Sequence, residues 1–249
     1  MTGCIHRSLI AIAAIGLLGG CLSVPEWQSR PPILFYGEIH GTQEIPEHFS
    51  LLVKDQVRKR GFVSVGLEIT SNDIRTACQS VRGTISGASS GDWTNAFQDG
   101  RHSLAMAKLT CRLMRTPGVS LFALVSDDSS PLRDKMIADS ISENAKQGRA
   151  TLVLVGNYRA RNVESSAAGL VRAAGWPVVT YVFDARGRSQ AWIRTANERQ
   201  GPQDVGARFC STNDELAMAG VIVKDTPGAR WDRCVSLEKL TASFPIERR

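Results

Sequence analysis

Short apolar runs that stop at a glycine or a carboxylate, spaced by stretches of helical periodicity, constrain this chain more than any other feature. Ile33-Leu34-Phe35-Tyr36 ends at Gly37, and Thr151 to Val155 ends at Gly156. Val63 to Ile69 and Val119 to Val125 read as a second and a third strand. Runs apolar at consecutive positions suit parallel strands covered on both faces, not half-exposed strands with alternating polarity. Ile45, Phe49, Leu52, Val53 and Val57 fall on one helical stripe closed by Gly61. Leu132, Met136, Ile137 and Ile141 form another, with Ser129 and Ser130 as caps. Thr70 to Pro117 reads as mostly helical around a Gly/Ser loop from Gly83 to Gly91, and Val163 to Ala174 as a further helix. Val178 to Phe183 and Gln190 to Arg194 read as strands, and Ala219 to Val223 as a candidate strand. The alternation predicts a single α/β domain, a mostly parallel central sheet with helices on both faces.

The first residues read as an address. Arg7 precedes an apolar run from Ser8 to Gly20, too short to span a bilayer comfortably and built like a signal peptide. The run ends Leu18-Gly19-Gly20-Cys21, which resembles the bacterial lipobox, whose cysteine is lipidated and becomes the mature N-terminus. Leu22 follows, where an inner-membrane retention signal would have Asp. The expected organisation is a lipoprotein signal peptide over residues 1–20, lipidation at Cys21, a proline-bearing tether over 21–32 and the α/β domain over 33–249. Such a chain sits in the cell envelope as an outer-membrane lipoprotein facing the periplasm or the exterior, with the membrane engaged through its N-terminal lipid.

Composition fits this picture: 43% of residues are hydrophobic and 22% charged, as in an ordinary globular chain. The net charge of +6 is scattered and broken by acids, whereas nucleic-acid binding wants a clustered basic face, so no nucleic-acid partner is expected. Beyond Cys21 the chain carries Cys78, Cys111, Cys210 and Cys234, an even number suited to an oxidising compartment. Three pairings are open to them. The local ones, Cys78–Cys111 and Cys210–Cys234, are favoured, and no CxxC suggests redox or zinc-ribbon chemistry.

In open α/β sheets, ligands bind beyond the carboxyl ends of the strands. After the first strand stands Gly37-Glu38-Ile39-His40-Gly41-Thr42, after the second Leu67-Glu68, after the third Asp127-Asp128 and after the fourth Gly156-Asn157-Tyr158-Arg159-Ala160-Arg161. If extension persists past Glu38, alternation puts Glu38 and His40 on one side. Two carboxylates and an imidazole at neighbouring strand ends make an acid/base or metal constellation. Ion pairing of Glu38 and Glu68 with the many arginines is the plainer alternative. Gly87-Ala88-Ser89-Ser90-Gly91 matches the G-x-S-x-G serine elbow, but it lies in a polar loop without the preceding strand that motif needs.

Gly37-Glu38-Ile39-His40-Gly41-Thr42 resembles the opening motif of the superfamily that contains erythromycin-esterase-like hydrolases, haem-binding ChaN lipoproteins and Tiki/TraB proteins. Four further segments are similar to that superfamily's motifs, in the same order. They are Val65 to Ile69, Asp99 to Met106, Arg133-Asp134-Lys135-Met136, and Leu154 to Ala160, so that the resemblance runs from about Ile33 to Phe183. It implies a polar centre of Glu38, His40 and Glu68, which activates water against an ester in esterase-like members and binds a divalent metal in Tiki-like ones. Arg101 and Arg133 would pair with anions or carboxylates. One departure stands out. Arg159 occupies the position of a family histidine, and a guanidinium can neither act as a neutral base nor ligate a metal. Of the remaining histidines, His48 is expected on the surface of the first helix, while His102 could approach the site.

The leading expectation is therefore a hydrolase acting on an ester or similar acyl bond of a small-molecule substrate. His40 would be the base, oriented by Glu38 or Glu68, with Arg101 or Arg159 offsetting developing negative charge. The alternative is a ChaN-like haem-binding lipoprotein without turnover, with Tyr36, Tyr158 or His40 as axial ligands. A third reading is a catalytically degenerate envelope protein. Haem or a divalent metal is the cofactor that these readings admit.

Overall fold

The computed structural model describes residues 30–83, 93, 100–124, 132–194, 200–206, 209, 221–223 and 230–246. The expected signal peptide, Cys21, the Gly87–Gly91 loop, Asp99, Asp127, Asp128, the capping serines Ser129 and Ser130, and Cys210 lie outside these residues. In chain order the elements are β1 (Ile33–Glu38), α1 (Glu44–Arg60), β2 (Val63–Leu67), α2 (Ser71–Arg82), α3 (Leu104–Met114), β3 (Val119–Ala123) and α4 (Arg133–Ala145). They continue with β4 (Ala150–Gly156), α5 (Ala167–Ala173), β5 (Val178–Ala185), β6 (Gln190–Arg194), β7 (Gln200–Asp204), β8 (Val221–Val223) and β9 (Arg233–Leu237).

Seven strands form one sheet in the order β3-β2-β4-β1-β5-β9-β8. The first six in that order run parallel, and β8 closes the edge antiparallel to β9. The chain is a single α/β domain, as its periodicity predicts. Every residue of β2 and β4 is buried, and apart from Ser64 and Thr151 these strands carry no polar side chain. One core lies between the sheet and α1–α3, where Ile45, Phe49, Val53, Ala77 and Leu109 meet Tyr36, Val65 and Leu152. The opposite face buries Ile137, Ile141, Ala167 and Val171 of α4 and α5 against Phe35, Val153 and Val155. Among the described residues no helix is long and apolar enough to cross a membrane.

Local chemistry sets the helix ends. Thr70 and Asp73 form a reciprocal capping box at α2, and Ser103 accepts from the Met106 N–H at α3. Gly61 ends α1 at φ 77° and donates to the Val57 carbonyl. Three details differ from the sequence reading. α5 starts at Ala167 under a Ser166 cap, and the residues from Val163 onward are turns in which the Ser166 hydroxyl donates to the Arg161 and Val163 carbonyls. Among the described residues α4 opens on Leu132, which offers no side-chain cap. β7 (Gln-Gly-Pro-Gln-Asp) lacks strand residues altogether and owes its form to antiparallel pairing with β6.

The Cys78–Cys111 disulfide forms as expected and ties α2 to α3. Cys234 in β9 is also disulfide-bonded. Closing a span of 33 residues, the Cys78–Cys111 bridge is expected to contribute about 4 kcal/mol by restricting the unfolded chain. A Cys78→Ser/Cys111→Ser variant should lose that much in urea unfolding. A loss below about 1 kcal/mol would mean that the α2–α3 packing alone holds the pair.

Candidate active site

The chain leaves β1 and β2 for helices on one face of the sheet, and leaves β4, which lies between them, for a helix on the other. Neighbouring strands whose connections part in this way open a crevice at their carboxyl ends. Glu38 ends β1 in register with Gly156 at the end of β4, and Glu68 follows β2 directly. Both carboxylates are buried, Glu38 at 2% and Glu68 at 3% exposure.

The extended strand stops at Glu38, and His40 lies in the turn that follows. The two side chains nevertheless meet: His40 Nδ1 is 3.0 Å from Glu38 Oε1. The ring's Nε2 lies 3.8 Å from Glu68 Oε2. Glu68 Oε2 accepts the Gly156 N–H at 2.8 Å. Its Oε1 collects three guanidiniums: Arg101 and Arg133 donate to it at 3.3 Å each, and Arg159 Nε stands 3.4 Å away. Asp134, on the first turn of α4, joins them with Oδ1 3.6 Å from Arg159 Nε. Burial pushes the Asp134 carboxyl above its ordinary range, Arg159 opposes the shift, and Glu68 adds to it.

Glycines make this crowding feasible. A Cβ on Gly156 would come within 3.0 Å of His40 Nε2 and 3.6 Å of Glu68 Oε2. Gly41 (φ 75°) and Gly100 (φ 93°) lie against the Trp192 carbonyl, where a side chain would meet oxygen at 2.1 and 2.4 Å. The turns carrying His40 and Arg101 are thus clamped together by β6.

All five expected site residues, Glu38, His40, Glu68, Arg101 and Arg159, converge, and Arg133 joins them. Asp134 is the member that sequence reasoning did not assign, although it stands in the Arg133-Asp134-Lys135-Met136 segment. His102 goes elsewhere: its Nε2 lies 3.0 Å from Asp73 Oδ2, within the capping box of α2, whose Asp73 carbonyl also accepts from Trp93. His48 is half-buried rather than a surface residue. Its ring stands edge-on to Phe183, and desolvation lowers its pKa. Tyr36 departs furthest from expectation. It is stacked on Tyr181 inside the core at a ring separation of 4.6 Å, and burial, with Tyr181 nearby, pushes its hydroxyl well above the ordinary range. A phenol held there is not presented to a ligand in the crevice, so it does not suit an axial haem position. Tyr158 is 67% exposed, with Arg161 stacked on its ring.

The donor set also does not suit a divalent cation. Glu68 spends one oxygen on an N–H and offers the other to three guanidiniums, so a cation there would meet like charge. Among the described residues no group of three or more His, Cys, Asp or Glu could hold a metal ion.

No protein-family model matches the chain, and no curated protein matches it. Solved structures do. A mutant of the erythromycin esterase EreC, with asparagine in place of a histidine and in its open conformation, superposes at a TM-score of 0.54 with 10% identity, covering 90% of this chain and 94% of that one. A Bacillus cereus protein superposes at 0.52 with 12% identity, covering 88% and 90%. The chain therefore has an erythromycin-esterase-like fold.

Proposed function

We propose that this protein is an envelope lipoprotein hydrolase that attacks an ester or related acyl bond with water activated by His40. The observation that carries the reading is the Glu38–His40 hydrogen bond at the carboxyl end of the sheet, which orients the ring through Nδ1 so that Nε2 can serve as the base. Glu38 fixes the ring and its tautomer, and it favours the imidazolium that forms when His40 takes a proton from water. The hydroxide equivalent adds to the acyl carbon, and Arg101 offsets the charge that develops on the carbonyl oxygen. Collapse expels the alkoxide, which recovers the proton from Nε2. The fold shared with an erythromycin esterase supports a hydrolase, and the Cys78–Cys111 disulfide supports an oxidising compartment. The lipobox-like Leu18-Gly19-Gly20-Cys21 supports anchoring in the outer membrane.

The test is turnover of a panel of chromogenic acyl esters by the purified protein, with activity expected in the presence of a chelator. Absence of turnover above the rate of a His40→Ala preparation would sink the reading. A finer check uses Gly156→Ala. Its Cβ must displace His40 by a few tenths of an ångström, while the backbone there is ordinary, so folding should persist and kcat should fall about 10-fold or more. Unchanged kcat in this variant would show that His40 has no fixed catalytic position.

A further inference from the structure

Arg133 and Arg159 hold more hydrogen-bonding capacity than the described residues use. Each guanidinium carries five N–H donors. Among the described residues Arg133 donates one hydrogen bond, to Glu68, and Arg159 donates none: its Nε lies near Glu68 and Asp134 but is aligned with neither. Arg133 Nε is likewise buried without a hydrogen-bond partner. Both side chains remain about a fifth to a quarter exposed, at 20% and 24%, so their outer edges reach the crevice. The one anion they share does not satisfy them. Its oxygen sits 3.3–3.4 Å away, longer than the 2.7–2.9 Å of a good charge-assisted bond, and it also serves Arg101. Arg133 is also the first residue of α4, so the positive end of that helix adds to the field.

We propose that Arg133 and Arg159 form the subsite for a phosphate group carried by the substrate, beside the bond that His40 addresses. A phosphate monoester suits the arrangement better than a carboxylate. It brings two charges and three terminal oxygens to two planar forks, where a carboxylate brings one charge and fills one fork. The inference leans on the hydrolase reading only in calling the anion part of a substrate; the binding site itself stands on the arginines.

The experiment is calorimetric titration of the full chain with inorganic phosphate at constant ionic strength, with acetate as the comparison. The expected result is saturable phosphate binding at least 10-fold tighter than acetate. Arg133→Gln and Arg159→Gln should each weaken it 10-fold or more, with circular dichroism confirming the fold. Arg159→Lys, which keeps the charge and loses the fork, should weaken it several-fold, so the proposal stays testable if a glutamine variant does not fold. Absence of saturable binding, acetate binding as tightly as phosphate, or phosphate affinity unchanged in both glutamine variants would each overturn it. His40→Ala separates the two readings: it should abolish ester turnover and leave phosphate affinity within 2-fold. Phosphate binding in a protein that hydrolyses no ester would refute the hydrolase and keep the subsite.

Discussion

Replacing His40 by alanine is expected to lower kcat for acyl-ester hydrolysis by about 10³-fold with KM little changed, since general-base catalysis contributes about 10²–10⁴-fold. The split follows from geometry. His40 contacts Glu38 and faces Glu68, so its removal takes away the proton acceptor and leaves the guanidiniums that hold a substrate in place. Glu38→Gln should also reduce kcat, because an amide can donate to the ring as well as accept from it and so admits the wrong tautomer. Added imidazole should restore part of the His40→Ala activity by filling the space the ring vacates. Should His40→Ala retain more than about a tenth of wild-type kcat, another group is the base.

Glu68→Ala is expected to be the most destabilising single change at the site, by about 3 kcal/mol in urea unfolding, the lower end of the range for removing one partner of a buried charge cluster. Two penalties combine. Three guanidiniums lose the carboxylate oxygen between them, and the Gly156 N–H loses its acceptor. The lower end applies because the arginines, at 20–24% exposure, can still draw on water. Glu68→Gln should lose less, since an amide oxygen can still accept from Gly156 while its NH₂ faces the guanidiniums. A Glu68→Ala loss under about 1 kcal/mol would mean that solvent already satisfies the cluster and that Glu68 is not its organiser.

How much of this was legible beforehand varied with the kind of signal. The parallel strands were readable because burial on both faces leaves a nearly unbroken apolar run, as in β4. The site residues were readable because they stand where those runs stop: Glu38, Glu68 and Gly156 are each within one residue of a strand end. β7 was not, because its Gln-Gly-Pro-Gln-Asp sequence has no preference of its own and takes its conformation from β6. Nor was the depth of Tyr36. A tyrosine at the end of an apolar run reads equally as core or as ligand until α1 is seen to cover that face.

The sequence by itself determined the fold class and the set of polar residues at the strand ends, since periodicity, spacing and turn chemistry are properties of neighbours along the chain. Only the tertiary structure decided how those residues are used. Insertion of β4 between β2 and β1 brings Glu68 within reach of Gly156 and helps gather Arg101, Arg133 and Arg159 from three separate connections onto one oxygen. Strand order is set by packing between segments far apart in sequence, and it is strand order that turned scattered charges into a site.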